Sequence, residues 1–209
     1  MTIALVHRGP DAKNIYLNES KTVGLGHTRL SIIDLSENAN QPFFSFDRRY
    51  VIVFNGEIYN FQSMRSQLVK LGCAFRTDSD TEVIVQAFAM WGEEMIEKLD
   101  GMFALAIFDQ LNQRLTLCRD RMGKKPLFYY QSQDCFVFAS EIKSLLKHPR
   151  IEQEKKINVK AIHTFLHLGY VPEPDSIYFH IRKFPAGEIG VLEQGKSLLF
   201  TPYWKVQEV

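Results

Sequence analysis

The sequence predicts an α+β fold, with helices and antiparallel strands packed as a layered sandwich. Two features carry that prediction. Residues 60–72 and 79–92 repeat apolar side chains at helical spacing between start and stop signals. Residues 103–118 and 127–139 form two pairs of short apolar runs around polar turns, the spacing of hairpins. The near-continuous apolar character of those runs predicts strands buried on both faces, with a further layer over each.

Taken in order, Ile3-Ala4-Leu5-Val6 reads as the tail of a helix leading into His7-Arg8-Gly9-Pro10-Asp11. Arg49 to Phe54 is a β-branched and aromatic strand that runs directly into Asn55-Gly56-Glu57. Asn60 then opens a helix with Phe61, Met64, Leu68 and Leu71 on one face, closed by Gly72. Ser79-Asp80-Thr81-Glu82 has capping-box spacing, followed by Val83, Ile84, Ala87, Phe88 and Trp91 as an apolar face and Gly92 as a stop. The strands 103–108, 114–118, 127–130 and 135–139 follow, then a short helix from Ser140 to Lys147. The charged run 152–156 is the best boundary and divides the chain into 1–150 and 151–209. Beyond it, Asn158 caps a helix to Leu168 that Gly169 ends, Pro172 and Pro174 make an extended link, and two strands bracket Gln194-Gly195.

Composition narrows the function. The chain has 209 residues, 45% hydrophobic and 23% charged, ordinary values for a globular domain. Its formal charge of +1 gives no bulk electrostatic case for a nucleic-acid or anionic-membrane partner. No apolar run approaches the ~20 residues of a transmembrane helix, and the start lacks the basic segment of a signal peptide. Three cysteines, Cys73, Cys118 and Cys135, without a CxxC pair argue against a disulfide framework or a zinc site, so a reducing cytoplasm is the expected compartment.

Five stretches carry a more specific signal: HRGPD at 7–11, HTRLSIIDLS at 27–36, NGEIYNF at 55–61, TDSDTEV at 77–83, and RDRMGKKPLFYY at 119–130 followed by FASEIKSLL at 138–146. In this order and spacing they resemble the class II glutamine amidotransferase domain of asparagine synthetases, an N-terminal-nucleophile hydrolase type. The resemblance runs from about residue 5 to Tyr203-Trp204, which looks like the junction before a synthetase domain. It implies a four-layer αββα sandwich of antiparallel sheets. It also implies glutamine hydrolysis by an N-terminal Cys thiolate, with ammonia passing to a second domain where ATP activates aspartate. ATP and Mg belong to that absent domain, and no cofactor or metal is expected on this chain.

Several residues carry both a structural and a functional reading. Arg29 sits in an otherwise apolar stretch; its guanidinium suits bidentate binding of a substrate α-carboxylate, or pairing with a neighbouring acid. Asn-Gly at 55–56 is a strong hairpin signal, yet the following residues lead to a helix. The resemblance makes the Asn55 amide and the Gly56 N–H an oxyanion hole, with glycine admitting the substrate closely. Asp80 is stabilised by a helix start in any case, and the resemblance assigns it to the substrate α-amino group, with Glu57 beside it. Leu30, Ile32 and Ile33 complete the implied glutamine-binding set. His7 and His27 read as hydrogen-bonded structural histidines. Asp120, Arg121, Gly123 and Lys124 read as a solvated loop or a domain contact, and the aromatics between 128 and 138 as core.

The sequence departs from this family at its start. The family begins Cys-Gly-Ile on a strand well upstream of HRGPD, whereas His7 here follows Met1 closely, so the first strand and its nucleophile are expected to be missing. The three cysteines are internal, with no free α-amine, and read as small hydrophobes. Thr2 is placed away from Asn55 by the helical reading of residues 3–6. The expected function is therefore the glutamine-binding, ammonia-donating domain of an asparagine synthetase-like protein, truncated at both ends and inactive alone. Its expected partners are glutamine and a synthetase domain in cis or trans, with homodimerisation possible. The alternatives are a nucleophile-free scaffold or an amidotransferase domain serving another acceptor such as a sugar.

Overall fold

The computed structural model describes residues 1–206; the last three positions of the 151–209 segment lie outside the described residues. A 3-10 turn over Thr2–Arg8 precedes β1 (Ala12–Leu17) and β2 (Gly24–Arg29), then β3 (Phe43–Phe44), β4 (Tyr50–Ile58), α1 (Phe61–Lys70), α2 (Asp80–Trp91) and α3 (Met95–Lys98). There follow β5 (Gly101–Asp109), β6 (Arg114–Arg119), β7 (Phe128–Gln131), β8 (Phe136–Ala139), α4 (Ile142–Leu145), α5 (Pro149–Glu154), α6 (Val159–Leu168), β9 (Ile181–Lys183), β10 (Glu188–Glu193) and β11 (Leu199–Pro202).

β4 and β5 pair along their whole length in the larger sheet, whose six antiparallel strands run in the order β11-β10-β6-β5-β4-β3. Side chains alternate across a strand, so these two divide their apolar residues between two cores. Ile52, Phe54, Leu105 and Ile107 pack on Met64 and Leu68 of α1 and on Ile84 and Phe88 of α2. Val51, Val53, Ala104, Ala106 and Phe108 face the second layer, represented by Leu25, Tyr129 and Phe184. That layer is covered in turn by Leu145 of α4 and Ile151 of α5, packed against Tyr130, Val137 and Ala139. The order is helix, sheet, sheet, helix. Segment 151–209 supplies β9 to the second layer beside β7, and β10 and β11 to the larger sheet beside β6.

The second layer is divided. β1 and β2 form a two-stranded ribbon, and β8-β7-β9 a separate three-stranded sheet. β2 and β8 each have one unpaired edge, and both line a cleft of about 400 Å³. The cleft is walled by Gly24 to His27 on one side and Phe136 to Ala139 on the other, with Met1 and Thr2 beside it. A further cleft of about 510 Å³ continues past Thr22–Leu25 and Gln131–Phe136. This gap explains why Phe136 and Phe138 are only half-buried, where continuous cover was predicted.

The local signals are largely realised. Ser79 Oγ accepts the Glu82 N–H at 3.2 Å as the cap of α2, and Asn158 Oδ1 accepts the Ala161 N–H at 3.2 Å as the cap of α6. Two details differ. The Glu82 carboxylate turns to the Arg76 and Thr77 N–H groups, not back to Ser79, so the capping box is half made. Asn60 precedes α1 without capping it; its side chain instead bridges Lys98 O and Asp100 N–H, at 2.9 and 3.1 Å.

Candidate active site

The site is built on the edge of β4. Tyr59 N–H donates to Asp100 O at one end of the β4–β5 ladder, and Gln110 N–H to Arg49 O at the other. In an antiparallel pair this turns the odd-numbered β4 residues toward β5 and the even-numbered ones away from it. On that outer edge, Tyr50 N–H donates to Ser45 Oγ at 3.0 Å, Phe54 N–H to Gln41 Oε1 at 2.6 Å and Ile58 N–H to Asp80 Oδ2 at 3.2 Å. Gly56 lies between the last two, and its N–H has no partner on this edge among the described residues. Beside it, His27 Nε2 donates to Phe54 O at 3.1 Å.

Asn55-Gly56 is therefore not a turn: β4 continues through both to Ile58. The glycine also has a reason in the fold, besides the substrate approach that the sequence suggested. A Cβ at Gly56 would lie 2.3 Å from Met102 O and 2.8 Å from Phe103 Cα, so it is β5 that requires glycine here. Asn55 Nδ2 is buried without a hydrogen-bond partner.

A cleft of about 320 Å³ opens over this edge, and all eight sequence-predicted site residues line it: Arg29, Leu30, Ile32, Ile33, Asn55, Gly56, Glu57 and Asp80. Leu30, Ile32 and Ile33 are exposed and belong to the loop after β2. Arg29 organises that loop, donating to Ser36 O at 2.7 Å, Asn40 Oδ1 at 2.9 Å and Asp34 O. The guanidinium thus pairs with loop acceptors, and among the described residues no acid takes the partnership that the sequence allowed. Asp80 is 6% exposed; burial raises its carboxyl above the usual range, and the Glu57 charge adds to that.

Of HRGPD, Arg8 lines the cleft. Glu141 receives His7, Arg8 and Lys143 within 3.2 Å, which hold its carboxyl down to about 2. A Cβ on Gly9 would lie 2.4 Å from Thr28 C, so only glycine lets this turn meet β2. His27 is a structural histidine on one side only: Nε2 is bonded, while Nδ1 is buried and unpartnered. Burial holds its pKa down to about 4, with Arg29 contributing, so the ring is neutral.

The loop at 119–125 corrects the sequence reading. Asp120 is 2% exposed and accepts four backbone N–H groups, from Phe103, Met122, Lys124 and Lys125, at 2.8 to 3.2 Å. This buried hub holds Lys125 at the cleft. The signal was available in Arg119-Asp120 directly after a core strand, a charged pair where the chain is still interior. Arg119 is buried as well, bonding Lys125 O, Gly123 O and Phe184 O at 2.7 to 2.8 Å.

None of the three cysteines lines this cleft, and burial raises each thiol pKa, most at Cys118. Thr2 lies nearer the site than predicted, since it lines the β2–β8 cleft that Asn55 also borders. No group of three metal-ligating side chains converges among the described residues, and no helix there is long and apolar enough to cross a membrane.

This fold is that of the amidotransferases with an N-terminal nucleophile. The solved glutamine phosphoribosylpyrophosphate amidotransferase of Bacillus subtilis, complexed with ADP and GMP, is similar with a TM-score of 0.58 and 21% identity, covering 87% of this chain and 35% of that one. The chain belongs to the glutamine amidotransferase domain family, whose model matches residues 1–204. It is 38% identical over 205 residues to glutamine-hydrolyzing asparagine synthetase 1 of Bacillus subtilis, covering 98% of this chain and 32% of the relative. It is 39% identical over 211 residues to synthetase 3 of the same organism, covering 99% and 33%. The chain thus spans about a third of the length of these curated relatives.

Proposed function

We propose that the cleft binds L-glutamine as the ammonia-donating half of an asparagine synthetase-like enzyme. The observation that carries this is the pairing of an unpartnered Asn55 Nδ2 with an outward-turned Gly56 N–H in a cleft that also holds Arg29 and Asp80. Two such donors suit a carbonyl oxygen that gains negative charge as its carbon is attacked. Arg29 presents a guanidinium for the α-carboxylate. Asp80 and Glu57 meet the α-ammonium, whose charge offsets the cost of burying the Asp80 carboxylate. Leu30, Ile32 and Ile33 would close over the aliphatic part. Ammonia would pass to an ATP-dependent synthetase domain that amidates aspartate.

The cysteines lie outside the cleft, so this chain by itself is expected to bind glutamine and to release no ammonia. Calorimetric titration with glutamine, with an ammonia assay alongside, tests both statements. Ammonia release that disappears in Asn55→Ala would overturn the second.

One observation favours a scaffold role instead: Arg29 spends three hydrogen bonds on its own loop. Absence of glutamine binding together with tight binding of a synthetase domain would select that reading.

A further inference from the structure

Two buried side-chain atoms at this site lack partners, and they are of opposite kind. His27 Nε2 must carry a hydrogen, because it bonds the Phe54 carbonyl at 3.1 Å. In a neutral ring that leaves Nδ1 as a bare acceptor, and it is buried with no donor facing it. Asn55 Nδ2 is a donor, equally buried and equally unpaired. Both residues line the glutamine cleft and the adjoining β2–β8 cleft. The His27 ring is anchored on Phe54 O, next along the strand edge from the Gly56 N–H. Buried polar atoms without partners are uncommon, and a donor and an acceptor orphaned in the same clefts point to a group that would satisfy both.

We propose that His27 reads the side-chain carboxamide of the ligand: its Nδ1 accepts an N–H of the amide NH2 while Asn55 and Gly56 hold the amide oxygen. The inference rests on the glutamine reading above. It makes His27 a specificity-determining residue that the sequence had assigned to structure alone. A carboxylate in the same place has no hydrogen for Nδ1 and sets its charge against the nitrogen lone pair, so glutamate is rejected. The low basicity of the buried ring keeps Nδ1 free to accept at neutral pH. Discrimination of this kind is strong because the wrong ligand leaves a buried polar atom unpaired.

The test is long-range proton–nitrogen NMR of the imidazoles in the full chain, titrated with glutamine and separately with glutamate. Glutamine is expected to shift Nδ1 of His27 and leave Nε2 in place, and glutamate to bind at least about tenfold more weakly. His27→Phe is expected to bring the two affinities within about twofold, and His27→Asn, which restores an acceptor near Nδ1, to recover part of the preference. Glutamine binding with an unmoved Nδ1 resonance overturns the inference and leaves the glutamine site standing, as does a His27→Phe chain with its preference intact. The unmodified chain supplies the NMR result even if the variants fail to fold. No glutamine binding by the folded chain overturns both readings.

Discussion

Asp80 Oδ2 accepts the Ile58 backbone N–H at 3.2 Å, so the first residue of α2 is tied to the last of β4. One carboxylate therefore joins the two elements that frame the cleft, and two of its roles can be separated. Asp80→Asn keeps an acceptor for Ile58 and removes a charge whose burial is unfavourable. Stability should change by less than about 1 kcal/mol, while glutamine affinity falls by about tenfold or more as the α-ammonium loses its partner. Urea melts and calorimetric titrations of the same variant check the two halves. Equal loss of both would show that the residue serves structure only.

His27 gives the fold an acid limit. Its pKa is about 4 folded against 6.5 unfolded, so between these values the unfolded chain binds the extra proton. The stability from this group is complete above pH 6.5 and declines as pH falls toward 4, by about 3 kcal/mol in total. Urea midpoints measured from pH 7.5 to 4.5 should fall less steeply in His27→Gln than in the parent. Parallel curves would contradict the assignment.

Gly56→Ala places a methyl 2.3 Å from Met102 O. β4 and β5 must part at this point of their ladder, at a cost of about 2–4 kcal/mol. The thermal midpoint should drop by several degrees and glutamine binding should vanish with it, because the N–H that faces the ligand moves too. A variant of unchanged melting temperature would refute the close approach.

Asp120→Ala leaves four backbone donors without an acceptor. The expected loss is about 3 kcal/mol or more, since each buried unpaired donor is costly. Asp120→Asn, which retains one acceptor oxygen, should recover part of it. Chemical denaturation of both variants gives the comparison, and a surface loop would show no difference between them.

Much of this was legible locally. Ser79 and Asn158 announced their helices by cap chemistry, and the hairpins by spacing, because those signals act within a few residues. The eight residues expected at the site line one cleft, but they were singled out by motif and not by physics. What stayed hidden depends on contacts far along the chain. The reason for Gly56 is β5, where its register partner Phe103 lies far along the chain. The burial of Asp120 depends on Phe103, and the unpaired nitrogen of His27 on Phe54 taking the other one. Half-satisfied polar atoms cannot be read from a linear sequence, which shows donors and acceptors but not their neighbours.

The divided second layer has a dynamic counterpart. The β1–β2 ribbon is linked to the larger sheet through side-chain bonds such as Tyr16 to Gln110 at 2.7 Å and His27 to Phe54 at 3.1 Å, with no backbone ladder crossing the gap. Such a piece is expected to open as its own cooperative unit, below the free energy that unfolds β4, β5 and β6. Its amides should exchange with deuterium earlier than those of the central strands, and glutamine should slow them through Arg29 and His27. The ligand would then act as a clasp, with its affinity readable from the protection of a ribbon that carries only one wall of its site.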